Sequence, residues 1–312
     1  MGKLRSRVLS GCFMLSVLLL AGGCAQKAEI TSLPQLADKS FAVPTGTAAD
    51  TLVLSKFPQA KFQYFNTVLD AALAVKAGKA DAVAYDEPIL KNIAAKNDGL
   101  KVLPEMITVD NYGFAVSPEN RALKVAIDSV VKELRQGGGY DEMQARWFPK
   151  KGNPAAMPEI PVEGAAGVLK LGTAAVTEPF SFVDGSQQVV GFDIELAKRV
   201  AKQQGKTLEV VNMEFGSLIP ALISGKVDMI AACITITDER AQKVLFSEPY
   251  YTGGIAALVR ETKPWSAGDE QVSATDRCGP VACCGSLLGA GCCAAPARSG
   301  WQADCGVDGL SR

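Results

Sequence analysis

The chain contains no histidine. That removes Ser-His-Asp triads, Cys-His pairs, histidine zinc ligands and imidazole acid–base chemistry from the functions open to it. An excess of one charge is missing too. Lys and Arg number 32 and Asp and Glu 33, a net charge of −1, which gives no electrostatic footprint for nucleic acid. The apolar run Val8–Leu20 falls short of the roughly 20 residues that a membrane-spanning helix needs. What is present is an ordinary globular composition, 48% hydrophobic and 21% charged over 312 residues. That is ample for a core in one large domain or two smaller ones.

Lys3, Arg5 and Arg7 precede the Val8–Leu20 run, and small residues lead from it to Cys24. This order reads as a secretory signal. Leu20-Ala21-Gly22-Gly23-Cys24 resembles a bacterial lipobox, with Ala21 where Leu is usual. The likeness implies a signal peptide over 1–23 and a lipidated Cys24; plain signal cleavage is the alternative. Removing the signal takes the net charge from −1 to −4. The body of the chain is expected outside the cytoplasm, in the periplasm or at the cell surface, held to the membrane by its lipid.

From Phe41 onward short β-rich runs alternate with amphipathic helical stretches, the pattern of an α/β fold with parallel strands. Strands are expected at 41–43, 61–65, 82–85 and 112–116, and helices at 87–96 and 119–136. Asn66 or Thr67 can cap a helix whose inner face is Val68, Ala71, Ala72 and Val75, with Gly78 ending it. Pro154, Pro158 and Pro161 mark 150–166 as a linker. A second α/β unit follows, with strands at 168–172, 208–211, 227–231 and 254–259. A hairpin is expected over 180–190, turning at Asp184-Gly185, and helices after Phe192 and over 217–224. Ala77-Gly78-Lys79-Ala80-Asp81 and Ser224-Gly225-Lys226-Val227-Asp228 echo one another in the two units. Residues 264–312 change character: they hold no Ile, Phe, Tyr, Met or Lys, but eight Gly, eight Ala and six Cys. This tail is expected outside the fold. Its Cys-Cys dipeptides do not match the two-to-four-residue spacing of structural zinc sites, so no metal is expected; disulfides are chemically open to an exported chain.

Six segments in the second unit appear in order. They are Glu178-Pro179-Phe180, Gly191-Phe192-Asp193-Ile194-Glu195-Leu196-Ala197, Leu218-Ile219-Pro220-Ala221-Leu222, Ser224-Gly225-Lys226-Val227-Asp228, Ile234-Thr235-Ile236-Thr237-Asp238-Glu239-Arg240 and Phe246-Ser247-Glu248-Pro249-Tyr250-Tyr251. Together they resemble the first lobe of the extracellular solute-binding proteins, family 3, the amino-acid receptors of bacterial ABC importers. The first unit resembles the second lobe of that family through Phe41-Ala42-Val43-Pro44-Thr45-Gly46-Thr47 and Lys79-Ala80-Asp81-Ala82-Val83-Ala84-Tyr85-Asp86. The resemblance implies a two-lobed α/β periplasmic-binding-protein fold of type II, with the lobes in permuted order. Lobe 2 is expected over 24–112, a strand and C-terminal helices returning to lobe 1 over 113–150, the linker over 151–166, the first part of lobe 1 over 167–262 and the tail over 263–312. A circular permutant and a truncated tandem receptor both give this order.

The same resemblance implies a site. Arg240 stands where the family's Arg grips the ligand's α-carboxylate, for which a planar guanidinium supplies two parallel donors. Thr235 aligns with a ligand-contacting hydroxyl, and the backbone near Cys233 could add donors. Thr47 either offers a helix start to the carboxylate or serves as an N-cap alone. Asp86 stands at the end of its strand as the partner of the α-ammonium, where open α/β sheets place ligands. Phe215 packs either on the ligand's side chain or in the core. Thr177 replaces an aromatic lid, Ala174 replaces the acid found in receptors for basic amino acids, and Cys233 replaces a polar wall residue. The missing acid at Ala174 argues against a basic ligand, and a neutral or polar amino acid is expected. The implied partners are a free amino acid and the membrane permease of an ABC importer; no nucleic acid, cofactor or catalytic residue is implied. Alternatives are a cyclohexadienyl-dehydratase-like enzyme using Glu178, Asp86 or Glu87, and a nonfunctional fragment of a frameshifted tandem gene.

Overall fold

The computed structural model describes residues 29–149, 154–161 and 166–261. The described residues all belong to one compact unit. The signal peptide, Cys24 and the Cys-rich tail lie outside the described residues.

Two five-stranded sheets form the two halves. In the first, Lys61–Phe65, Ser40–Pro44 and Ala82–Asp86 run parallel, then Ile255–Arg260 and Leu100–Val102 follow in antiparallel pairings. Side chains alternate across this sheet as the strand period requires. Phe41, Val43, Ala82, Ala84, Ile255 and Ala257 pack on one face, and Ala42, Val83, Tyr85, Ala256 and Leu258 on the other. A sheet apolar on both faces needs cover on both. Helix Val68–Lys76 covers one face through Val68, Ala71, Ala72 and Val75, and its N-cap Thr67 accepts from the Asp70 amide at 3.1 Å. Helix Ala49–Lys56 covers the opposite face through Ala49 and Val53. Helix Glu87–Lys96 buries Ile89, Leu90 and Ile93 on the same side as Val68–Lys76.

In the second sheet Thr207–Asn212, Val168–Thr173 and Met229–Ile230 are parallel, and Ala115–Val116 joins antiparallel between Met229–Ile230 and Leu245–Phe246. The expected hairpin is present as Ser181–Val183 and Val189–Val190, with Asp184 Oδ1 accepting the Ser186 and Gln188 amides across the turn. Gly191, at φ 135°, follows it; a Cβ there would stand 2.1 Å from the Phe180 carbonyl oxygen. Its glycine lets helix Phe192–Gln203 begin directly against the hairpin.

Two expectations differ from the sheets. A single strand over 112–116 is in fact two, Asp110–Tyr112 and Ala115–Val116. The first pairs with Tyr251–Gly253 in a ladder of its own, and the second enters the second sheet. These paired strands carry the chain between the halves, so the bend at Gly113-Phe114 falls where the chain changes sheet. The expected extent of lobe 1, 167–262, is also too long. Ile255–Arg260 lies between Ala82–Asp86 and Leu100–Val102, because its apolar face completes the first half's core rather than the second's. Strand Leu100–Val102 was not foreseen; three residues carry no usable period.

Helices Arg121–Gln136 and Gly139–Trp147 pack on Phe192–Gln203. The Asn120 side chain caps the first by accepting from the Leu123 amide at 3.2 Å. Glu195, fully buried, clasps two of these helices, Gly139–Trp147 and Phe192–Gln203. It accepts from Arg146 Nη1 at 2.8 and 2.9 Å, from Trp147 Nε1 at 2.7 Å and from Arg199 Nη2 at 2.6 Å. Removing one partner of such a cluster strands the others. Glu195→Ala is therefore expected to lower stability by about 3 kcal/mol in urea-induced unfolding; a loss below about 1 kcal/mol, the range of an exposed pair, would refute the clasp.

Candidate functional site

The parallel strands of both sheets end toward the same seam. Ser40–Pro44 leads to Gly46-Thr47, Ala82–Asp86 ends on Asp86, and Met229–Ile230 runs on to Cys233-Thr235. Carboxyl ends of parallel strands are where open α/β sheets leave backbone groups free for ligands. Here two such edges face each other and touch. A Cβ on Gly46 would stand 2.8 Å from the Gly216 Cα, so that contact between the halves requires glycine's bare backbone.

Arg240 lies in the short helix Asp238–Ala241, whose N-cap Thr237 accepts the Arg240 amide at 3.3 Å. Its side chain is buried. Nη1 donates to the Thr235 carbonyl at 3.0 Å and Nη2 to the Gly46 carbonyl, from the other half, at 3.5 Å. The guanidinium carbon sits 5.5 Å from the centre of the Phe215 ring, within cation–π range. Both of its bonded acceptors are neutral.

Asp86 is equally buried. It accepts from the Tyr112 hydroxyl, and the Cys233 Sγ lies 3.7 Å from its second oxygen. Among the described residues no cation forms an ion pair with it. Burial pushes its carboxyl up to about 7, against the pull of the Tyr112 and Cys233 bonds and the field of Arg240. Asp193, at the start of helix Phe192–Gln203, is fully buried and accepts the Cys233 amide at 3.0 Å; burial lifts it to about 7 as well. Its side chain thus ties that helix to the Cys233 backbone. Cys233 itself has φ 45°, a left-handed conformation unusual for a side-chain-bearing residue, and burial raises its thiol well above the usual range.

The structure brings Arg240, Phe215, Thr235, Cys233 and Asp86 to one seam. Phe215, expected either on a ligand or in the core, is half-exposed beneath the guanidinium. The Thr235 hydroxyl shares that seam, though it is the backbone carbonyl that holds Arg240. The Thr47 hydroxyl donates to the Pro44 carbonyl at 2.9 Å and accepts from the Ala49 amide at 3.4 Å, just before helix Ala49–Lys56. Thr177 is turned inward, its hydroxyl bonding to the Ala174 and Ser181 carbonyls at 3.1 and 3.3 Å. Glu178 forms an ion pair with Lys96 of the other half at 2.6 Å, and Glu87 pairs with Lys91, so both acids considered for catalysis beside Asp86 are already engaged.

Beside Arg240 the seam holds a cavity of about 40 Å³ lined by Gly46, Phe215, Gly216, Leu218, Ile219 and Ile234. Ordinary ligand pockets begin at roughly 300 Å³, so an amino acid can enter only if the halves part. A larger groove of about 620 Å³ lies between helix Glu87–Lys96 and Trp147–Pro149. Sequence reasoning missed Tyr112 and the Gly46 carbonyl. Neither has a periodic signal; the Gly253-Gly254 pair, whose bare backbone admits the Tyr112 hydroxyl, is the nearest trace of the first.

Residues 169–280 match the family of bacterial extracellular solute-binding proteins, family 3. This segment is similar to that family. A probable histidine-binding protein of Campylobacter jejuni is 48% identical over 83 residues, 27% of this chain and 32% of that protein. The arginine-binding extracellular protein ArtP of Bacillus subtilis is 48% identical over 84 residues, again 27% and 32%. A putative ABC transporter arginine-binding protein of Escherichia coli is 40% identical over 87 residues, 28% and 36%. The chain spans about a third of the length of these curated relatives. The family 3 segment contains Thr177, Phe215, Cys233, Thr235 and Arg240; Thr47 and Asp86 lie outside it. The names of these relatives run against the expectation, drawn from Ala174, that a basic ligand is excluded.

The uncompensated carboxylate has a measurable cost. Asp86 binds its proton more tightly folded than unfolded, so its contribution to stability is greatest below about pH 4 and is lost as pH rises through about 7. Asp86→Asn is expected to gain about 2–4 kcal/mol on the wild type between pH 4 and pH 8 in chemical unfolding. A difference that stays constant over that range would contradict the buried, unpaired charge.

Proposed function

We propose that the chain is an exported receptor that captures a free α-amino acid between its two halves and presents it to the permease of an ABC importer. The observation that carries this reading is the pair of buried, opposite charges at the seam. Arg240 and Asp86 come from different halves, and each is bonded to neutral groups instead of to the other. An α-amino acid carries a carboxylate for Arg240 and an ammonium for Asp86, so one small zwitterion compensates both and bridges the halves. Closure around it follows from the difference in affinity between parted and joined states. The ligand class is α-amino acids, basic side chains included, in keeping with relatives named for arginine and histidine. Lipid anchoring at Cys24 fits a receptor held near its permease.

The lobe order is read as circularly permuted. Its support is that Ile255–Arg260 pairs with Ala82–Asp86 inside the same chain, so one chain contains both sheets with their crossing strands. Joining termini that lie near each other is tolerated by many domains.

The test is a thermal-shift screen of the natural amino acids on the purified full chain. A ligand at a hundredfold its Kd stabilises the folded state by about 2.7 kcal/mol, so one amino acid or a small group is expected to raise Tm. Arg240→Ala and Asp86→Ala are each expected to cost about 2–5 kcal/mol of binding and to abolish the shift. No shift with any amino acid, an unchanged shift in both variants, or turnover of prephenate or arogenate would each overturn the reading.

A further inference from the structure

Tyr112 belongs to the strand that carries the chain from one half to the other, and it is fully buried. Its hydroxyl donates to Asp86 and accepts the Gly254 amide at 3.2 Å. The ring stacks on Tyr251 of the opposite crossing strand, with centres 5.7 Å apart. Close approach of these strands requires two glycines: a Cβ on Gly253 would stand 2.6 Å from the Tyr112 Oη, and one on Gly254 would stand 2.0 Å from the Thr108 carbonyl oxygen. The hydroxyl is therefore fixed by both crossing strands at the carboxylate that ends Ala82–Asp86.

We infer that Tyr112 is a positioning residue of the ammonium site, which holds Asp86 in its charged form and ties it to the strands between the halves. The inference rests on the reading of Asp86 as the ammonium partner, and it names what keeps that carboxylate competent. An ammonium is attracted to an ionised Asp86 and gains little from a neutral one. A hydrogen bond given to a carboxylate favours the charged form.

The surroundings bear this out as a proton balance. Tyr85 and Glu87 flank Asp86 in its own segment. Asp110 and Tyr112 approach from one crossing strand and Tyr251 from the other. Cys233 and Arg240 face it from the second half, with Asp193 behind Cys233. Burial raises the phenols of Tyr85, Tyr112 and Tyr251 and the thiol of Cys233, so these four act as neutral donors. Asp110 opposes ionisation of Asp86 and Arg240 favours it, but Arg240 is bonded elsewhere. Tyr112 is thus the hydroxyl bonded directly to the carboxylate, and its loss leaves the 3.7 Å thiol contact as the remaining side-chain donor.

The experiment follows the ¹³Cγ signal of Asp86 in the full chain, assigned with Asp86→Asn, together with the pH dependence of L-arginine affinity by calorimetry. Wild type is expected to titrate near neutrality. Tyr112→Phe is expected to move the midpoint up by about one pH unit or more, as for a hydrogen bond to a charged group. L-Arginine affinity is then about fivefold or more weaker than wild type at pH 7, as the ionised fraction falls by that factor for a one-unit shift, and recovers toward it at pH 9. A role in packing alone predicts an equal loss at every pH and an unmoved midpoint, and either result overturns the inference. If L-arginine binds to neither protein, the fault lies with the ligand reading, and the ¹³C midpoint still decides the role of Tyr112. Should Tyr112→Phe fail to fold, 3-fluorotyrosine at position 112, a stronger donor, is expected to move the midpoint down; no movement overturns the inference.

Discussion

Arg240 and Asp86 are each taken out of water by one half of the molecule and left without a counter-charge. Isolated burial of either group costs several kcal/mol even after relaxation, and the protein offsets it with neutral partners: the Thr235 and Gly46 carbonyls and the Phe215 ring for the guanidinium, a hydroxyl and a thiol for the carboxylate. Direct contact between the two would satisfy both. Their separation across the seam keeps that solution unavailable and leaves the halves with a shared electrostatic deficit that a zwitterion can fill.

The rest of the architecture serves that separation. Parallel strands in each sheet end at the seam; Asp86 is presented from a strand end and Arg240 from the short helix Asp238–Ala241. The paired strands Asp110–Tyr112 and Tyr251–Gly253 are the passage between halves, and aromatic rings surround them: Tyr112, Phe148, Phe180 and Tyr251 stack or meet edge to face. Such a box resists shear between the strands while permitting the halves to tilt about them. Gly46 against Gly216 and Lys96 with Glu178 also meet across the seam. The exposed ion pair adds little free energy by itself.

Much of the fold was legible because its signals are local. Helix Glu87–Lys96 and strand Lys61–Phe65 have the bounds that patterning gave them, and the hairpin turns at its Asp-Gly. The bend inside 110–116 was not legible, since a run of β-formers reads as one strand whether or not it changes sheet. The place of Ile255–Arg260 in the first half is a long-range fact: its apolar sequence fits a core strand in either sheet. In the site, Arg240 and Asp86 were found through motif resemblance, and the structure sets them at one seam. Thr177 and Thr47 were read through the same resemblance, yet their hydroxyls satisfy nearby backbone, an alternative always open to threonine. Tyr112 left no mark because its importance comes from two glycines more than a hundred residues away.

The central claim is that one zwitterion answers two buried charges. Titration calorimetry of the full chain with the amino acid that binds best, its N-acetyl derivative and its carboxamide separates the two contacts. The account predicts heat from the free amino acid and none from either derivative, since one lacks the ammonium for Asp86 and the other the carboxylate for Arg240. Comparable binding of either derivative would contradict it.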